Sequence, residues 1–209
     1  MIIAVDGPTA SGKGTIAKAL AAHFGLPHLD TGLLYRAVGW QVAQNGGNPD
    51  DPADALAATT FSASLLADPV LRTEETGGLA SRVSVHPAVR AALLAHQQDF
   101  ANQSGGAVLD GRDIATVIAP HADAKLFVTA SVPARAMRRW IEMRDAGQDV
   151  EQSAIEADLA ARDERDRTRA EAPLRQATGA ALLDTSTLTR ERAIASAIAL
   201  VERQVAAKP

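Results

Sequence analysis

The 209-residue chain contains no cysteine, which excludes a disulfide framework, a zinc–thiolate centre and a thiol nucleophile. Aromatic residues make up only 3% of it, so the core has to be built from small aliphatic side chains, and Ala is the commonest residue. No run approaches the ~20 apolar residues that cross a bilayer. The opening run Met1–Val5 meets Asp6 too early for a secretory signal. A soluble, cytoplasmic protein is expected, with no membrane partner. An excess of positive charge is also missing: 21 Lys and Arg stand against 25 Asp and Glu, for a net charge of −4 and a pI near 5.7. A general nucleic-acid surface would be basic, so no nucleic-acid partner is expected. Lysine itself is scarce. Of the 21 basic residues only Lys13, Lys18, Lys125 and Lys208 are Lys. The rest are Arg, whose planar fork suits phosphate and carboxylate. A GC-rich genome would also enrich Arg and Ala, so position has to decide.

The pattern along the chain alternates strand with helix. Residues 2–6 read as a buried strand, followed by a Gly-rich turn and a helix from about Lys13 to Phe24 that Gly25 and Pro27 end. Pro27–Asp30 reads as a second strand, and Leu33–Gln44 as a helix closed by Asn45-Gly46-Gly47. Residues 48–80 are the least patterned: a loop, an Ala-rich helix, then interruptions at Pro69 and Gly77-Gly78. Pro87 opens a helix to about Asn102. Ala107–Asp110 and Lys125–Thr129 have the length of central strands. Pro133 opens a helix to about Ala146, with Met137, Trp140 and Ile141 as its apolar stripe and Arg135, Arg138, Arg139 and Glu142 on the other face. Residues 151–169 read as a charged helix and Ala180–Asp184 as a last strand. Thr189 caps a final helix whose stripe is Ile194, Ile198, Val201 and Val205. Such alternation predicts an α/β fold with a parallel sheet flanked by helices.

Gly7-Pro8-Thr9-Ala10-Ser11-Gly12-Lys13-Gly14-Thr15 lies between the first strand and the first helix and fits G-x-x-x-x-G-K. Small residues let backbone N–H groups curl around phosphate oxygens, and the helix N-terminus adds partial positive charge. Lys13 can reach terminal phosphates, and Thr15 can bond a phosphate or the magnesium shell. A Gly-rich turn with an incidental Lys is the bland alternative; the strand–turn–helix context favours the phosphate loop. A guanine-reading Asn-Lys-x-Asp is absent, and motor or transporter ATPases are usually longer. Small-molecule kinases remain.

Three further constellations can face that loop. Leu29-Asp30-Thr31-Gly32-Leu33-Leu34-Tyr35-Arg36 is a polar turn opening a helix, or simply a capped helix with a surface Arg. Asp110-Gly111-Arg112-Asp113 follows an apolar strand, at the sheet edge where ligands bind. There Asp110 can orient magnesium-bound water and Arg112 can hold phosphate, or the segment can form a structural salt bridge in which Asp113 merely holds Arg112. Residues 158–171 carry four Arg and five acids, which is no nucleic-acid footprint. Helical spacing puts Arg162, Arg165 or Asp166, and Arg169 on one face, suited to a phosphorylated sugar, or forming a solvated, salt-bridged helix. The five His show no metal-binding spacing, so the one metal expected is Mg2+ carried by a nucleotide, near Thr15 and Asp110.

Taken together and in order, the loop 7–15, Leu-Asp-Thr-Gly-Leu-Leu-Tyr-Arg, Asp-Gly-Arg-Asp-Ile-Ala-Thr-Val and Arg-Asp-Glu-Arg-Asp-Arg-Thr-Arg-Ala-Glu-Ala-Pro-Leu resemble the bacterial cytidylate kinases, a family of P-loop nucleoside monophosphate kinases. The first motif is generic to P-loop kinases; the last three are specific. The resemblance implies a P-loop core (1–36, 84–146 and 174–209), an inserted NMP-binding region (37–83) and a mobile lid (147–173). It implies a monomer transferring the γ-phosphate of ATP to CMP or dCMP. Gly7–Thr15, with Arg138 and Arg139, would bind ATP. Arg36, Arg112 and Arg169 match phosphate-binding positions. Thr31, Arg162 and Asp166 match positions around the pentose, and Ser81, Arg90 and Asp113 match base-reading ones. Lys13, Arg112, Arg162 and Arg169 would be catalytic. Between Arg36 and Ser81 the chain is shorter than typical members, which carry a β-rich insert there. A UMP-preferring or shikimate-type kinase, and a nucleotide-binding regulatory module without turnover, are the alternatives.

Overall fold

The computed structural model describes residues 1–207; the last two positions of the expected core segment lie outside the described residues. Five strands form one all-parallel sheet, β1 (Ile2–Asp6), β2 (His28–Asp30), β3 (Ala107–Gly111), β4 (Ala124–Thr129) and β5 (Ala181–Asp184), in the order β2-β3-β1-β4-β5. The central strand β1 is buried on both faces, as a parallel sheet covered by helices requires. On one face Ile3 and Val5 pack against Ile16 and Leu20 of α1 (Lys13–Phe24) and Ala197 and Val201 of α8 (Arg190–Ala206). On the other, Ala4 and Leu109 pack against Ala101 of α5 (Pro87–Ala101) and against Ile114 and Ile118 of a single π-type turn, Ile114–Ile118.

Residues 45–83 contain no strand. They form α3 (Pro52–Ala57), two 3-10 turns (Ala63–Ala67 and Pro69–Arg72) and α4 (Glu74–Val83), packed over α2 (Thr31–Gln44). Gly77-Gly78 does not interrupt this stretch but lies inside α4. The reason is side-chain space: a Cβ on Gly77 would lie 2.9 Å from Arg36 Nη2 and 3.1 Å from Arg162 Nη1. The helix gives up propensity to let two guanidinium groups come close. Gly39 serves the α2–α4 crossing in the same way, since its Cβ would sit 2.8 Å from that of Leu79.

Two expected apolar stripes are corrected. In α6 (Val132–Asp145) the buried residues are Arg135 and Ala136, while Met137 and Ile141 are 43% and 40% exposed. Ala136 admits Ile155 and Leu159 of α7 (Gln152–Thr168), and Arg135 is buried because Asp163 of α7 neutralises it. The α6–α7 pair thus has a small apolar seam beside its ion pairs. In α8 the innermost positions are Ala193, Ala197 and Val201, whereas Val205 is exposed. Small residues let that helix lie close to the sheet. Thr189 does cap it, accepting from the Arg192 amide.

Candidate active site

The C-terminal end of β1 sets the loop. A Cβ on Gly7 would lie 2.0 Å from the Val128 carbonyl oxygen, so the backbone passes where no side chain fits. Gly12 takes a left-handed φ of 88° at the start of α1, a conformation open to glycine, and turns the first helical amides toward the loop. Thr9, Ala10, Ser11, Gly12, Lys13, Gly14 and Thr15 line one cavity; Gly7 and Pro8 are not among its lining residues. Lys13 Nζ donates to the Pro8 carbonyl at 3.4 Å. Burial, then repulsion from Arg112, pushes the Lys13 ammonium down to about 8. Anionic phosphate beside it would favour the charged form and oppose that lowering. Arg138 and Arg139 also line this cavity, but each has a protein partner: Arg138 donates to the Thr185 carbonyl and hydroxyl, and Arg139 pairs with Glu74 and Glu142. The far wall is apolar, from Leu188, Ala193 and Ile194; Ile194 faces this cavity rather than the sheet.

All the expected acceptor-side residues meet in a second cavity: Thr31, Arg36, Ser81, Arg90, Arg112, Asp113, Arg162, Asp166 and Arg169. Five guanidinium groups and two carboxylates line it, and Glu74 and Asp158 pair with Arg162 from outside the lining, so the lining itself carries more positive than negative charge and suits an anionic ligand. Arg36 Nη1 donates to the Leu71 and Thr73 carbonyls, 2.8 Å each. Burial pushes Arg36 down to about 10, and the nearby Arg162, Arg139 and Arg112 push the same way. Burial, then Arg90, likewise lowers Arg169. Its Nη2 is buried without a hydrogen bond, and Asp113 Oδ1 lies 3.7 Å away. Asp113 pairs with Arg90, both buried, and is not the partner of Arg112. Arg112 instead donates from Nε to Asp166 at 2.7 Å and from Nη2 to the Thr9 hydroxyl at 2.6 Å. Thr31 donates its hydroxyl to the Asp110 carbonyl at 2.9 Å. The two cavities meet at Thr9, Gly32, Arg36, Gly111 and Arg112, which line both.

Asp110 stands at the loop side, with Oδ1 2.7 Å from His28 Nε2 and Oδ2 turned toward Gly14. Among the described residues no cluster of three or more His, Cys, Asp or Glu could hold a metal ion. A hydroxyl at Thr15 and a carboxylate at Asp110 are the hard oxygen donors magnesium takes, but they are too few to hold it without a phosphate.

Several contributors escaped the sequence reading. Tyr35, one position before Arg36, lines the acceptor cavity with the Arg90 guanidinium 5.6 Å from its ring centre. Asp6 accepts from the Ile114 and Ala115 amides, 2.8 Å each, and so fixes the turn that follows Arg112 and Asp113. Burial pushes Asp6 up to about 7 despite those two bonds. Arg135 donates to the Thr9 carbonyl at 3.0 Å while bound to Asp163. Thr9 is therefore held from α7 by two relays, Asp163–Arg135 at its carbonyl and Asp166–Arg112 at its hydroxyl. Glu74 of α4 pairs with both Arg139 and Arg162. A buried Arg read from an Arg-rich helix face gives no sign of its burial; the signal was the spacing of Asp163 and Asp166 in α7.

Comparison with known proteins gives one answer. Residues 3–203 match the family described as cytidylate kinase. A cytidylate kinase from Xanthobacter autotrophicus is 56% identical over 208 residues, covering 100% of both chains. One from Granulibacter bethesdensis is 54% identical over 208 residues and 98% of each. A solved structure of an uncharacterized protein from Eubacterium ventriosum covers 100% of this chain and 99% of its own, at a TM-score of 0.56 and 13% identity, a likeness of fold alone. Since the match takes in every segment that walls the two cavities, from Thr9 to Ile194, the chain belongs to the cytidylate kinase family.

Proposed function

We propose that this protein transfers the γ-phosphoryl group of ATP, carried with Mg2+, to CMP or dCMP, giving ADP and CDP or dCDP. One observation carries the reading. A phosphate loop and a cavity with surplus buried guanidinium charge open into each other at Thr9, Arg36 and Arg112, so two phosphorylated molecules can meet end to end. The acceptor phosphate is an oxyanion at neutral pH and needs no general base. Its oxygen attacks the γ-phosphorus, the bond from that phosphorus to the bridging oxygen breaks, and ADP leaves with the electron pair. Positioning and charge stabilisation supply the rate in such transfers. Lys13 and Arg112 stand where charge develops; Arg36 and Arg169 hold the acceptor phosphate; Thr31, Arg162 and Asp166 hold the pentose; Arg90, Asp113 and Ser81 read the base. ATP lies on loop 7–15 with its base against Leu188 and Ile194, beside Arg138 and Arg139. Thr15 and Asp110 would supply oxygen ligands or hydrogen bonds to Mg2+ arriving with ATP, which would neutralise phosphate charge there.

We assign 37–83 to the acceptor-binding region and 147–173 to a lid, with the remainder as core. Closure would exclude water and suppress ATP hydrolysis. The arrangement needs neither a second subunit nor nucleic acid, and among the described residues no helix is long and apolar enough to cross a membrane. We read the enzyme as a cytoplasmic monomer. The test is ADP release measured against CMP, dCMP, UMP and shikimate. CMP and dCMP should exceed UMP by about tenfold or more in kcat/KM, the worth of one mismatched polar pair. A better rate with UMP or shikimate, or nucleotide binding without ADP release, would overturn the assignment.

A further inference from the structure

We propose that Arg165 is a positioning residue for base selection, acting through Ser81; this rests on the reading of the acceptor as a cytidine monophosphate. Arg165 lies on α7 and Ser81 on α4, and the Arg165 Nε–H donates to Ser81 Oγ at 3.0 Å. Ser81 lines the acceptor cavity with Arg90 and Asp113. The other Arg residues of this stretch meet carboxylates: Arg162 meets Asp158 and Glu74, Arg167 meets Glu164, and Arg169 meets Asp113 and Asp166. Arg165 spends its bond on a neutral hydroxyl.

The consequence lies in the proton count of that hydroxyl. A serine hydroxyl holds one proton and two lone pairs, while a guanidinium can only donate. The Arg165 N–H therefore occupies a lone pair and turns the Ser81 proton away from itself, toward the cavity. Ser81 becomes a donor to whatever base edge it meets. N3 of cytosine is a bare acceptor and completes that bond. N3 of uracil carries a proton, so uracil would set two donors against each other. Selection then arises from the contact between α7 and α4 as well as from the residues touching the base. It is fully formed only when those two helices are together.

The experiment measures kcat/KM for CMP and UMP on the wild-type enzyme, Arg165→Met, Ser81→Ala and the double variant, with melting curves for each. Arg165→Met should lower kcat/KM for CMP about fivefold, the worth of one hydrogen bond, mainly through KM, and leave UMP nearly unchanged. Ser81→Ala should narrow the CMP-to-UMP ratio equally, and the double variant should lose no more than either single one. Should Arg165→Met not fold, Arg165→Gln, which also removes the guanidinium, is read by the same ratio. Equal losses for CMP and UMP would make Arg165 a plain clamp and overturn the proposal. So would an unchanged ratio in the Arg165 variants beside a narrowed one in Ser81→Ala. Failure of the cytidine reading itself would show separately, as a wild-type enzyme that does not prefer CMP.

Discussion

The loop cavity and the acceptor cavity share five lining residues but are walled differently. The first is built on consecutive residues, Thr9 to Thr15, with an apolar wall from Leu188, Ala193 and Ile194 and with charged side chains such as Arg138 and Arg139 beside it. The second is side chains drawn from segments as distant as Thr9 and Arg169, most of them charged and locked in pairs. Backbone amides are supplied by any sequence that can follow the turn, so the loop depends on a few glycines and on one cation. The acceptor side depends on each charge having its partner. Removing one carboxylate there strands a buried guanidinium, and a stranded buried charge costs far more than the pair contributes.

The widest separation between the two regions should come from Lys13→Met. Turnover should fall by about 10²-fold or more, because the ammonium is needed most as charge shifts in the transition state. The fold of the nucleotide-free protein should not suffer. The Lys13 ammonium is pushed down to about 8 from 10.5 by burial and Arg112, so its charge disfavours the free fold at neutral pH. Between pH 8 and 10.5 the folded state binds fewer protons than the unfolded one, and that contribution makes stability rise with pH. The Met variant should melt no lower than wild type at pH 7 and lose that part of the slope. Near-normal turnover in a folded variant would remove Lys13 from the chemistry.

Asp163→Asn attacks the other kind of construction. Arg135, 2% exposed, would keep its bonds to the Ala130 and Thr9 carbonyls but lose its countercharge. A loss of about 2 kcal/mol is expected, below the full cost of breaking a buried pair because Asp163 is partly solvated. For a chain this size that lowers Tm by roughly 4–8 °C. KM for ATP should rise with it, since Arg135 without Asp163 is held less firmly in place beside the Thr9 carbonyl. An unchanged melting curve would show that the apolar seam alone docks α7 on α6.

The same contrast explains what could be read from the sequence. The loop, the five strands and the helices after Pro87 and Pro133 were legible because glycine, proline and apolar runs act locally. Of the nine acceptor-side positions, Thr31, Arg36, Arg112, Arg162, Asp166 and Arg169 stood out from local motifs and helical spacing, whereas Ser81 and Arg90 came only through the resemblance, since nothing local says that Ser81 and Arg162 share a cavity. Gly77-Gly78 misled because a glycine pair reads as a break, whereas here it makes room for Arg36 and Arg162 from other elements. Arg135 misled for the converse reason: a charged residue reads as solvated until its partner, 28 residues away, is known. Asp113 shows both sides. Its place after a strand was legible, but its partner is Arg90 rather than Arg112.

Asp113→Asn tests whether that pair reads the base. A carboxylate accepts from the cytosine amine and repels the uracil O4; an amide can rotate to offer O4 a donor. The CMP-to-UMP ratio should narrow by about tenfold, one misplaced polar pair. Arg90 and Arg169 lose part of their countercharge whichever base is bound, so both substrates should also weaken in common. If both rates fall and the ratio stays, Asp113 only organises the guanidinium groups.

The smallest effect belongs to Thr31, where the acceptor cavity touches the backbone of the sheet. Its hydroxyl donates to the Asp110 carbonyl, which joins the start of α2 to the end of β3. The spent proton leaves lone pairs that can accept from a pentose hydroxyl. Thr31→Ser keeps the oxygen and removes only a methyl group, so kcat/KM for CMP should stay within about twofold. Thr31→Val keeps the shape and removes the oxygen. It leaves the buried Asp110 carbonyl short of a donor and the pentose short of an acceptor, so KM for CMP should rise about fivefold or more, at about 1 kcal/mol per bond. KM for ATP should stay where it was, because Thr31 lines the acceptor cavity and not the loop cavity. A Val variant that raised both KM values together would mean that Thr31 holds β2 to β3 and does nothing for the acceptor alone.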